Sequence, residues 1–69
     1  MFDEEINTLL KRNSDMLEIQ AEKLAQAARG IMDAIKFRNK HRVLNNIVIV
    51  KQCLRKINEE FGEIEFLVE

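Results

Sequence analysis

The stretch from Val43 to Val68, VLNNIVIVKQCLRKINEEFGEIEFLV in one-letter code, decides the fold. Within it Val43, Ile47, Val50, Leu54, Ile57, Phe61, Ile64 and Val68 recur at steps of four and three residues without a break. That alternation keeps one stripe of an α-helix turned toward a partner helix, which is the heptad pattern. The run Ile47-Val48-Ile49-Val50 is β-branched and would suit a strand by propensity. The four-three steps pass straight through it, so the expectation is helix.

The first half carries a matching pattern. Leu10, Leu17, Leu24 and Ile31 lie seven apart, and Ser14, Ala21, Ala28 and Ile35 each follow four residues later. Leu9, Met16, Ile19 and Met32 lie beside this stripe and widen it beyond what a two-stranded contact requires. Ala21, Ala25 and Ala28 are small enough to let another helix approach closely. Gly30 costs a helix about 1 kcal/mol relative to alanine, set against close packing or a bend at that point. The triplet Asn13-Ser14-Asp15 offers an alternative helix start, because Asp15 with Glu18 three residues on fits a capping box. Used that way, it would divide the chain into three helices. Gly62 leaves 63–69 as an end that frays or extends.

Between the two patterns, Arg38-Asn39-Lys40-His41-Arg42 is the longest central stretch without an apolar residue. Asn39 is its best turn former, since asparagine tolerates the left-handed conformation. Run in opposite directions, the stripes pair Ile35 with Val43, Ile31 with Ile47, Ala28 with Val50, Leu24 with Leu54, Ala21 with Ile57, and Leu17 with Phe61. Each of these pairs is centred on Asn39. The sequence therefore predicts an all-α, antiparallel helical hairpin, one domain over residues 1–69, with its turn near Asn39. At the helical rise its arms run roughly 38–50 Å.

Size sets the next expectation. A chain of 69 residues with no Pro and two Gly lacks the turn chemistry of a sandwich or barrel. With 46% hydrophobic and 33% charged residues it is a folding, soluble composition. A domain this short buries only about 60% of its unfolded surface and is marginal alone. Leu44, Val48 and Ile49 lie off the main stripe of the second arm, as Leu9, Met16 and Ile19 do on the first. Left in water they form the kind of patch that marks an interaction site. Two hairpins packed as a four-helix bundle cover both sets, and a homodimer is the simplest closed solution. A different protein partner would cover the same surface. The expected assembly interface is Leu10, Leu17, Ala21, Leu24, Ala28, Ile31, Ile35, Val43, Ile47, Val50, Leu54, Ile57 and Phe61.

Charge is sorted along the chain. Residues 1–35 hold seven acids and four bases, 36–58 hold seven bases and no acid, and 59–69 hold five glutamates and no base. In a hairpin the bases crowd the tip and the acids gather at the open end. The first arm agrees with its helix dipole, and the second, starting with Arg42 and ending in glutamates, opposes it. An antiparallel dimer sets each basic tip beside the other copy's acidic end. The seven bases, Lys36, Arg38, Lys40, Arg42, Lys51, Arg55 and Lys56, also suit phosphates. Phe37 is the only aromatic among them, so stacking on unpaired bases is poorly supported. A solvated or pairing face is the simpler reading, and nucleic-acid binding is the alternative.

Reactive chemistry is sparse. His41 is the only histidine and has no carboxylate at helical spacing, so it reads as a turn residue. Cys53 has Lys51, Arg55 and Lys56 nearby, the setting of an activated thiol, but a small apolar filler is the simpler role. A single cysteine excludes an internal disulfide. Glu59 with Glu63 and Glu18 with Glu22 are carboxylate pairs without the Glu-x-x-His spacing of a di-iron bundle. No phosphate loop, nucleophile elbow or zinc spacing occurs. The expectation is a non-enzymatic adaptor, co-chaperone or regulator with no cofactor, metal or small-molecule substrate. Acids at the start and no long apolar run point away from an export signal or a membrane span, and a free thiol without such a signal points to a reducing interior, the cytoplasm.

Overall fold

A computed structural model describes residues 3–69. Two helices account for nearly all of them: α1, Glu4–Lys36, and α2, Lys40–Val68. They pack against each other as a helical hairpin of 52 × 14 × 11 Å. The first helix is continuous through Asn13-Ser14-Asp15, so the alternative start at that triplet is not used. The β-branched run Ile47–Val50 is helical, and α2 continues past Gly62 to Val68.

Local chemistry explains where each helix begins and ends. Asp3 caps α1, its carboxylate accepting from the Ile6 N–H at 2.8 Å, with Glu4 and Glu5 adding favourable charge in the first turn. At the other end the Arg38 N–H donates to the Ile35 carbonyl at 3.0 Å, and the Asn39 N–H to the Ala34 carbonyl at 2.8 Å. This pair of bonds is the Schellman stop, which needs a left-handed residue just past the helix. Arg38 fills that position with φ of 55°. The expectation that Asn39 would take the left-handed conformation is corrected. Asn39 is extended and caps α2, its side-chain oxygen accepting from the Arg42 N–H at 3.1 Å. An asparagine cap satisfies an orphan amide of α2, which a left-handed Asn39 would leave open.

The seam between the helices is regular but rotated from the expected one. On α1 the residues withdrawn from solvent are Ile6, Leu10, Asn13, Leu17, Gln20, Leu24, Ala27, Ile31 and Ala34, with Gly30 beside them. On α2 they are Val43, Asn46, Ile47, Val50, Cys53, Ile57, Glu60, Ile64 and Leu67. Leu10, Leu17, Leu24, Ile31, Val43, Ile47, Val50 and Ile57 therefore face inward as expected. Ala21, Ala28 and Ile35 on α1, and Leu54, Phe61 and Val68 on α2, are exposed. Their expected pairings between the arms are corrected: Asn13, Gln20, Ala27 and Ala34 take those inward places on α1. Cys53, Glu60 and Leu67 do so on α2. The two buried series mirror each other about a point between Arg38 and Asn39, half a residue from the expected centre.

The core that results is thin. Ala27, Ala34 and Cys53 are its buried apolar residues, and no large side chain among the described residues is fully enclosed. Small residues permit a close approach near the tip: a Cβ on Gly30 would stand 3.0 Å from the Asn46 amide nitrogen. Polar residues interrupt the seam between its apolar ends. Asn13 is 7% exposed, and its amide nitrogen donates to Glu60 Oε2 at 3.1 Å and Glu63 Oε2 at 3.0 Å. The nitrogen must face α2, because carboxylates can only accept.

Candidate interaction surface

The hairpin has two faces, and helix geometry sorts the side chains between them. In two antiparallel right-handed helices, the residues following each inward position project to one face. Those preceding each inward position project to the other. Next to the seam on that face stand Ser14, Ala21, Ala28 and Ile35 on α1, and Ile47, Leu54, Phe61 and Val68 on α2, none of them charged, while Lys11, Glu18, Lys51 and Glu65 lie farther out on its rim. Leu54 and Phe61 are each 51% exposed, and Ile35 is 61% exposed.

The preceding residues give a mixed face: Leu9, Met16 and Lys23 on α1, with Arg42, Ile49, Lys56 and Glu63 on α2. Two clefts lie there. One, of about 740 Å³, is at the open end, with Leu9, Met16 and Phe66 set among Arg12, Glu59 and Glu63. The other, of about 440 Å³, is framed by Met16, Lys23, Ile49 and Lys56. Both sets of lining residues fall on the face that helix geometry assigns to them.

The charged groups follow the hairpin. Lys36 closes α1, and Arg38, Lys40 and Arg42 surround the turn, all exposed. Glu63, Glu65 and Glu69 lie at the other end beside Asp3, Glu4 and Glu5. The first turn of α2 holds no acid and its last turn no base, so both ends oppose the helix dipole. Each such charge costs about 0.3–1 kcal/mol when exposed. The seven bases do not form one patch. Four cluster at the tip, while Lys51, Arg55 and Lys56 lie farther along α2, with Lys56 turned away from the other two.

The reactive residues are placed as follows. Cys53 is 3% exposed and packs in the seam, where a thiol acts as a small apolar filler. His41 is exposed in the first turn of α2 rather than in the turn itself. Among the described residues no group of three or more His, Cys, Asp or Glu is placed to hold a metal ion. Nor is any helix there long and apolar enough to cross a membrane.

The inward residues missed from sequence are Ile6, Asn13, Gln20, Ala27 and Ala34 on α1, and Asn46, Cys53, Glu60 and Leu67 on α2; their signal is a second three-four series, from Ile6 on α1 and from Val43 on α2, obscured by its polar members. No protein-family model, curated protein or solved structure matches the chain.

Proposed function

We propose that this chain is a non-enzymatic helical interaction module, an adaptor, co-chaperone or regulator, that works by self-association and by presenting a helical surface to a protein partner. The observation supporting this reading is the inversion of its apolar side chains. Leu54, Phe61, Ile35, Met32 and Phe66 stand half or more exposed, while the buried core consists of two alanines and a cysteine. Exposed apolar surface on this scale marks an interaction site. Sedimentation of the isolated chain tests the reading. The expected species is a folded oligomer, or a chain that folds only when its partner is added. A folded, monodisperse monomer that binds no apolar probe would overturn it.

The exposed bases Lys36, Arg38, Lys40 and Arg42 at the tip support a second reading, a regulator that binds nucleic acid, with Lys51, Arg55 and Lys56 as further contacts. Titration of generic duplex DNA and structured RNA against salt separates the two. Binding that weakens steeply with salt favours the nucleic-acid reading, and no binding at low ionic strength removes it.

A further inference from the structure

We propose that the face of the hairpin bearing Ile35, Ile47, Leu54 and Phe61 is covered by a second copy of the same chain, packed face to face with its tip at the first copy's open end. This rests on reading the chain as self-associating, and it adds which face is covered, by what, and in which direction.

Area is the first support. The chain exposes 5865 Å². A compact monomer of 8.1 kDa exposes about 4,500 Å². The excess, about 1,400 Å² per chain, lies within the roughly 1,000–2,500 Å² that each member of an obligate dimer buries.

Rotation of the helices is the second support. Turning each helix by about half the angle between consecutive residues would bring Leu54 and Phe61 between α1 and α2. The hairpin instead encloses Cys53 and Glu60 and turns the bulkier pair outward. Within the hairpin that rotation is held by the Asn13 bonds to Glu60 and Glu63, and the bulky apolar pair it leaves in solvent is what a four-helix core would gain. The opposite face carries Lys23, Arg42, Lys56 and Glu63 next to the seam, where a second copy's core would have to desolvate them, whereas the charges of the proposed face lie on its rim.

Charge gives the direction. With tips together, Lys36, Arg38, Lys40 and Arg42 of both copies would crowd one end and the glutamates the other. With tip at tail, each basic turn meets Glu65 and Glu69 of the other copy, and the charges that oppose the α2 dipole gain partners. Under that two-fold axis α1 lies against α1 and α2 against α2. The small Ala21 and Ala25 then allow close approach near the centre of α1. On α2, Leu54 meets its own counterpart and Ile47 meets Phe61.

The full chain tests each element separately. Sedimentation velocity is expected to give twice the mass of one chain, falling to one for Leu54→Glu and Phe61→Glu and unchanged for Ile19→Glu, which lies off this face. Where the first two variants lose helicity as well, orientation is read by thiol cross-linking in a Cys53→Ala background. A mixture of Phe37→Cys and Glu69→Cys chains is expected to cross-link, and Phe37→Cys alone is not. Self-linkage of Phe37→Cys without the mixed product would overturn the direction. A dimer broken by Ile19→Glu but not by the other two would overturn the face and leave self-association standing. A folded wild-type monomer would overturn both.

Discussion

Replacing each glycine by alanine measures how closely the two helices approach. Both Gly30 and Gly62 lie within helices, where alanine is favoured by about 0.8–1.0 kcal/mol. A Cβ on Gly62 meets no atom within 4 Å, so that gain is realised in full. For a domain of this size it corresponds to a rise in Tm of about 4–8 °C. A Cβ on Gly30 stands 3.0 Å from Asn46 Nδ2 and 3.1 Å from its Cγ and Oδ1, so the whole amide is crowded. That amide also donates to the Arg42 carbonyl at 2.9 Å, and moving it aside forfeits a bond of about 0.5–1.5 kcal/mol. The Gly30→Ala variant is therefore expected to lie between about 0.5 kcal/mol more stable and about 0.7 kcal/mol less stable than the parent, always short of the Gly62→Ala gain, since the lost bond offsets the propensity gain. Thermal and urea melts followed by circular dichroism supply the comparison. They are run at one fixed protein concentration, because Tm depends on concentration for any chain that self-associates. In an Asn46→Ala background the obstacle is gone, and Gly30→Ala is expected to recover about 1 kcal/mol. Equal stabilisation by Gly30→Ala and Gly62→Ala in the parent chain would show that the helices do not meet at Gly30. The register would then be wrong.

Three further outcomes check other parts of the structure. Leu24→Ala, in the seam, is expected to cost about 2 kcal/mol, whereas Leu54→Ala should produce a loss that grows with protein concentration. Equal, concentration-independent losses would return Leu54 to the seam. Asn13→Ala leaves Glu60 and Glu63 without their shared donor and is expected to lower stability by about 1.5–3 kcal/mol in urea melts; no change would mean those bonds do not form. Arg38→Gly removes the left-handed strain of a side-chain-bearing residue and is expected to raise the melting midpoint, by at most about 1–2 kcal/mol of stability. A fall would indicate that Arg38 makes a contact outweighing that strain.

Much of the hairpin is legible in the sequence. The uninterrupted series from Val43 to Val68 outweighs the strand propensity of Ile47–Val50, since a helix satisfies every backbone group of that run internally. The break in apolar residues at 38–42 places the link. The identity of the left-handed residue was less legible, because Asn39 suits both the turn and the cap of α2. Capping takes precedence, and Arg38 adopts the conformation that asparagine tolerates better.

The candidate surface was legible only in part. Leu10, Leu17, Leu24 and Ile31 belong to the inward stripe however α1 is rotated by a small angle, and the same holds for Val43, Val50 and Ile57. Ala21, Ala28, Ile35, Leu54 and Phe61 were equally good candidates by hydrophobicity, and better ones than Asn13, Gln20 or Glu60. Their outward placement cannot be read from an apolar count.

Sequence alone determined two antiparallel helices, the place of their turn, and the sorting of bases to the tip and acids to the open end. Each follows from spacing and composition along the chain. Tertiary structure decided which flank of each helix faces inward. Both helices carry apolar stripes wider than one neighbour can cover, so hydrophobicity permits more than one rotation. The short link through Phe37, Arg38 and Asn39, the close approach at Gly30 and the Asn13 bonds to Glu60 and Glu63 select one of them. Those are contacts between residues far apart in the chain, and they exist only once the helices have met.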